Sequence, residues 1–353
     1  MRLFALLAAT ALTTLAACAT SPSLSPTEDD YPAATVTAAF ETPVMDSEGD
    51  SADDPAIWIG ADGSGFIAGT DKQSGIYIYD LEGALRHHFR IGMVNNVDLR
   101  PGFRFKGRDH VLLVLSDDEI NAVELMLYDP LTDGFTRPEG SSQSVGPLSP
   151  YGICLGRGAD GHHHAGVTTK AGRYVQFRVG ADGEALTLEP VREFSTDIQT
   201  EGCAFDDRTQ TLYLAQEVGE LRAYPADPAN GDAPTRIASD GEFGLLADLE
   251  GVTVYEDGAE GGYVLVSSQG NDSFAAFSLP EMAYAGRFRI GEGATDPVSG
   301  TDGIAVTSAA TARFPKGFLV VQDDEDETSP SQRRKKQNFK VIDWRDVGAV
   351  LNR

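Results

Sequence analysis

Short apolar runs separated by polar turns dominate the chain. Ala56-Ile57-Trp58-Ile59, Ile76-Tyr77-Ile78-Tyr79, Val111-Leu112-Leu113-Val114-Leu115 and Tyr263-Val264-Leu265-Val266 are β-branched or aromatic runs of strand length. Gly, Asp and Asn stand between such runs, as hairpins require. No sustained helical periodicity is found, and only Trp344 to Leu351 reads as one short helix. The strands group into units, each opening on a polar cluster followed by apolar residues. The clusters are Asp53-Asp54-Pro55-Ala56, Asn95-Asn96-Val97-Asp98, Tyr151-Gly152-Ile153, Glu201-Gly202-Cys203, Glu250-Gly251-Val252 and Asp302-Gly303-Ile304. They recur at roughly 40–55 residues, the length of a propeller blade. The pattern predicts an all-β, six-bladed β-propeller over residues 35–353, each blade a four-stranded antiparallel sheet.

That geometry gives the clusters meaning. The innermost strands of all blades start at one face of the central channel, so residues that open them converge. Here those residues are Asp53, Asp54, Asp98, Glu201, Glu250 and Asp302. Carboxylates packed in a ring repel one another unless cations neutralise them. Many hard oxygen ligands suit Ca²⁺, whereas zinc favours His or Cys. The alternative is that these acids cap turns on a solvated rim.

Composition narrows the function. The chain carries 54 acidic and 28 basic residues, a formal net charge of −26. No basic field exists to displace counterions from a phosphate backbone, which excludes a nucleic-acid partner. The 38 Gly and 18 Pro suit a chain full of turns, and 41% hydrophobic content suits a globular core. Arg2 followed by the apolar Leu3 to Ala17 is too short to span a bilayer and reads as a signal peptide over residues 1–17. Its end, Leu15-Ala16-Ala17-Cys18, looks like a lipoprotein lipobox, which makes Cys18 the lipidated residue and the bilayer a partner; an ordinary signal peptide is the alternative. Residues 18–34 read as a flexible tether. The expected location is outside the cytoplasm, lipid-anchored with the outer membrane favoured over free periplasmic or extracellular protein, and the expected state is a monomer. Cys154 and Cys203 remain. An exported chain permits their pairing, but two cysteines make no framework, and they are read as buried free thiols. His162-His163-His164 reads as a loop apex between two strands, and Asp323 to Glu327 with Arg333-Arg334-Lys335-Lys336 as largely solvated loop.

Several segments resemble the β-propeller phytase family. They are Asp50-Ser51-Ala52-Asp53-Asp54-Pro55-Ala56-Ile57-Trp58, Asp71-Lys72-Gln73-Ser74-Gly75, Asn95-Asn96-Val97-Asp98-Leu99-Arg100 and Gln199-Thr200-Glu201-Gly202. Further on come Asp248-Leu249-Glu250-Gly251, Ser267-Ser268-Gln269-Gly270-Asn271, Thr301-Asp302-Gly303-Ile304 and Gln337-Asn338-Phe339-Lys340. The resemblance implies calcium in structural and catalytic roles. Asp53, Asp54, Asp302, Gln322 and Asp323 match structural ligands. Glu201, Glu217, Asp248, Glu250 and Asp296 match ligands of catalytic calcium at the channel mouth. Tyr151, Lys72 and Lys170 match residues that contact substrate phosphate. The implied reaction is hydrolysis of phytate, or calcium phytate, to lower inositol phosphates, with the 3-position favoured. Attack by a calcium-activated water is the implied mechanism, Lys72 and Lys170 stabilising the transferring phosphoryl group.

The chain departs from the family pattern in places. Asp117-Asp118 stands where many relatives have Asn-Arg, which removes a bidentate phosphate partner and adds repulsion. Arg173 or Arg100 is the candidate replacement. Gln216 stands where an acid is common, and Asp324 where Gly is usual. The departures leave three rivals open: a phosphatase for other phosphoesters, a calcium propeller of the lactonase type, and a non-catalytic calcium-stabilised surface propeller.

Overall fold

The computed structural model describes residues 30–325 and 336–351. Residues 1–17, read above as a signal peptide, Cys18, most of the expected tether and the greater part of the 323–336 loop lie outside the described residues. Six small sheets form the six-bladed propeller that the repeat predicts. Their inner strands are Ala52–Ile59, Val94–Phe105, Pro150–Arg157, Thr200–Asp206, Val252–Asp257 and Ile304–Thr307. Each is followed outward by three strands in antiparallel order. In blade 1 these are Gly65–Asp71, Gly75–Tyr79 and Leu85–Phe89.

The ring is closed by the start of the chain. Phe40–Glu41 pairs antiparallel with Asn338–Asp343, so blade 6 takes its outermost strand from the N-terminal side. Ala34–Thr37 adds to the outer strand of blade 5, Ala283–Gly291, in parallel. First and last segments are thereby held in shared sheets, and opening the ring breaks backbone hydrogen bonds as well as packing. The expected helix appears as Trp344–Gly348, capped by Asp343, with Trp344 stacked on Tyr255 at 3.6 Å between ring centres.

The core lies between blades. Trp58 and Phe66 of blade 1 pack edge-on against Tyr128 of blade 2. Phe274, Phe288, Leu319 and Ile342 fill the gap between blades 5 and 6. Because each strand alternates its side chains, both faces of every blade are buried against a neighbour.

Two expectations need correction. Cys154 and Cys203 are bonded to each other, not free, with Cα atoms 5.6 Å apart. The ring sets the residue after the blade 3 cluster against the third residue of the blade 4 cluster, and a separation of 49 residues gave no local sign of it. His163 and His164 are not at a loop apex. They open the strand His163–Thr169 and are buried, His163 beside Pro101 O and His164 beside Asp160, while His162 alone occupies the turn.

Candidate active site at the channel mouth

The inner strands do not run straight into the mouth. Register shifts fall between Ala52 and Pro55, Val94 and Val97, Pro150 and Ile153, and Thr200 and Cys203. A bulge leaves residues out of the ladder and re-aims their side chains. The residues inside these shifts are Asp53-Asp54, Asn95-Asn96, Tyr151-Gly152 and Glu201-Gly202. In blades 1 to 4 the polar cluster is therefore the bulge itself, while Glu250-Gly251 and Asp302-Gly303 of blades 5 and 6 stand just ahead of their inner strands. Glycine follows the functional residue for a steric reason. A Cβ at Gly152 would stand 1.9 Å from Glu201 O, and one at Gly202 would stand 2.0 Å from Glu250 O. Only glycine lets adjacent inner strands approach so closely.

A cavity of about 480 Å³ opens at this face, lined by Lys72, Tyr151, Glu201, Glu250, Asp302 and Asp324 among others. Glu201, Glu217 and Glu250 each bring a carboxylate oxygen within 4.8 Å of the other two. Asn95 Nδ2 donates to Glu201 Oε1 at 2.8 Å, and Gln199 Nε2 to Glu217 Oε1 at 2.6 Å. Burial raises the pKa of Glu201 and Glu217, and burial with the Glu201 charge pushes Glu250 up to about 12. Glu250 Oε2 has no hydrogen-bond partner, and neither does Oδ2 of the fully buried Asp53, whose Oδ1 faces Lys72 Nζ at 3.2 Å. Buried oxygens left unpaired in an acidic cluster are what a divalent cation would satisfy, so the donor set fits a hard cation.

Two lysines flank the acids. Lys72 Nζ lies 2.9 Å from Asp50, 3.2 Å from Asp53 and 3.0 Å from Asp302. Although burial opposes its charge, the acids hold its pKa above the usual lysine value. Lys170 Nζ sits 4.5 Å above the centre of the Tyr151 ring, and 3.8 Å from Asp118. The Tyr151 phenol is raised by burial and by Glu201 and Glu250, so it stays protonated.

The remaining sequence-derived residues fall into other groups. Asp302 joins Lys72, and its second oxygen accepts from Gln269 Nε2 at 2.6 Å. Gln322 Oε1 accepts from the Asp302 amide. Asp54 Oδ2 accepts from Val97 N at 3.2 Å, bridging blades 1 and 2. Asp98 is not at the mouth. It faces the channel, accepting from Leu155 N at 2.8 Å and pairing with Arg100, while Asn95 holds the blade-opening position. Asp248 stands near Glu217 and raises its pKa. Asp296 and Asp323 do not join the three glutamates but bracket the buried Lys340, at 2.7 and 2.5 Å. Burial raises Asp323 to about 7.

Neither candidate arginine reaches the mouth. Arg100 is pinned in the channel by Asp98 and Asp207, and Arg173 pairs with Glu193 on an outer strand. Gln216 binds Thr196 O and the Glu220 amide and takes a structural part. Asn95, Gln269 and Lys340 had no assigned role from sequence. Asn95 could have been found by giving the first position of every cluster equal weight.

Fold and site together define a six-bladed propeller whose channel mouth joins clustered carboxylates to lysines. A family model described as Phytase matches residues 4–353. The 3-phytase of Bacillus subtilis (strain 168) is 33% identical over 335 residues, 90% of this chain and 85% of that protein. The chain belongs to the phytase family and is a phosphoric monoester hydrolase of the phytase type. The PQQ-bound aldose sugar dehydrogenase of Streptomyces coelicolor superposes with a TM-score of 0.50 at 15% identity, over 88% of this chain and 99% of that one. That likeness is one of fold alone.

Proposed function

We propose that the protein is a calcium-dependent phytase that removes phosphate from phytate or its calcium complex. The observation that carries this reading is the convergence of Glu201, Glu217 and Glu250 within 4.8 Å, with Lys72 in the same cavity and Lys170 over the Tyr151 ring that lines it. An anionic site on a chain of net charge −26 repels a polyphosphate unless cations reverse the local sign. Glu201, Glu217, Glu250 and Asp248 would hold calcium at the mouth, and Asp53, Asp54, Asp302, Gln322 and Asp323 would hold it beneath and beside. Bound there, calcium would supply positive charge for phosphate oxygens and lower the pKa of a water.

The chain's own groups do the rest. Lys72, fixed among Asp50, Asp53 and Asp302, offers a charged donor where negative charge builds on the transferring phosphoryl group. Lys170 is more exposed and binds a second phosphate oxygen. Tyr151 keeps its proton, so its hydroxyl donates. Asn95 and Gln199 orient Glu201 and Glu217. We further propose that the chain is exported, anchored through lipid on Cys18, and acts as a monomer. Phosphate release from phytate, measured with calcium and with EGTA, tests the reading; equal release in both would overturn calcium dependence.

A further inference from the structure

The Cys154–Cys203 disulfide joins the inner strands of blades 3 and 4 directly below the site. Cys154 follows Tyr151 by three residues, and Cys203 follows Glu201 by two. At about 3.3 Å per residue the cross-link lies roughly 7–10 Å from both functional residues. Both residues sit in bulges, where the backbone lacks the regular ladder that would fix them.

Four other blade interfaces are held by hydrogen bonds at or beside the clusters. Asp54 accepts from Val97 N between blades 1 and 2, and Asp98 from Leu155 N between blades 2 and 3. Gly251 N donates to Asp302 O between blades 5 and 6, and Gly303 N to Asp53 O between blades 6 and 1. Between blades 3 and 4, the disulfide stands at this level. Above it Thr168 Oγ1 donates to Glu201 O at 3.2 Å, and below it Arg157 N donates to Asp207 Oδ1.

We propose that this disulfide is a positioning element for the site, fixing Glu201 against Tyr151 and so setting the spacing of Glu201, Glu217 and Glu250. The inference rests on the reading of those residues as the calcium site. Cys203 is partly accessible and lines the channel, which gives a small dithiol a route to it. A dithiol reductant transfers two electrons to the S–S bond, leaving two cysteine thiols while it becomes a disulfide itself. The chain would therefore carry a loosened site while reduced, and a set one after oxidation outside the cytoplasm.

The test compares the full-length protein, its dithiothreitol-reduced form and Cys154→Ala/Cys203→Ala. Calcium binding to the metal-free forms is followed by titration calorimetry, alongside kcat and KM for phytate. Both altered forms are expected to bind calcium about tenfold more weakly, the scale of losing an orienting partner of a metal ligand. Their kcat should fall more than KM changes, and reoxidation should restore the reduced wild type but not the variant. An unchanged isotherm and unchanged kcat, with only a lower Tm, would overturn the proposal. If the double variant does not fold, the reduced wild type decides. Wild type that binds calcium but releases no phosphate would defeat the phytase reading, while the isotherms still test the disulfide.

Discussion

Asp118 stands 3.8 Å from Lys170, on a cation that also covers the Tyr151 ring. A carboxylate here competes with an incoming phosphate for the same lysine, and neither Arg100 nor Arg173 reaches the mouth to compensate. Asp118→Asn is expected to lower KM for phytate by about two- to fivefold, the worth of an exposed ion pair, with a smaller change in kcat. Steady-state kinetics at fixed free calcium checks this. A raised KM would mean that Asp118 helps to hold substrate, for instance through a cation.

The acids at the mouth make metal-free stability depend on pH. Burial and mutual repulsion raise Asp53, Asp54, Glu201 and Glu217, and push Glu250 up to about 12. A carboxyl raised in the folded state favours folding below its unfolded value, about 4–4.5, and loses that contribution as pH rises. The native protein then binds more protons than the unfolded chain, so stability in EGTA should fall from about pH 5 upward. Urea midpoints at pH 6 and pH 8 measure the slope. With saturating calcium the fall should disappear, and adding calcium to weakly buffered protein should release protons. A midpoint that rises with pH in EGTA would contradict this.

Lys340 is fully buried between Asp323 and Asp296. Removing one partner of a buried ion pair leaves charge without compensation, which costs about 3–5 kcal/mol. Lys340→Met should lose that much stability in urea without calcium, and excess calcium should recover part of it by neutralising the same acids. A loss below about 1 kcal/mol would contradict a charge-compensating role for Lys340.

How much of this was legible in the sequence differs by level. The six blades could be read because Glu201-Gly202, Glu250-Gly251 and Asp302-Gly303 repeat one solution: an acid aimed at the mouth, then a residue without a Cβ beside the next strand. Phe40–Glu41 completing blade 6 was not legible, since two residues carry no periodic signal. Asp98 was grouped with the mouth because the bulge at Asn95-Asn96 shifts facing by an amount that alternation alone does not reveal. Lys340 meets Asp323 across the pairing of two strands in blade 6 that no short hairpin joins, and the disulfide between Cys154 and Cys203 joins residues brought together only by the packing of neighbouring blades.

The most direct test of the account is phosphate release from phytate as free calcium is varied, for wild type and Glu250→Gln. Release by wild type should rise with calcium and vanish in EGTA. Glu250→Gln should lose at least about 100-fold at every calcium level, because one of three converging carboxylates is gone while the fold remains. Full activity in EGTA, or a Glu250→Gln protein as active as wild type, would contradict it.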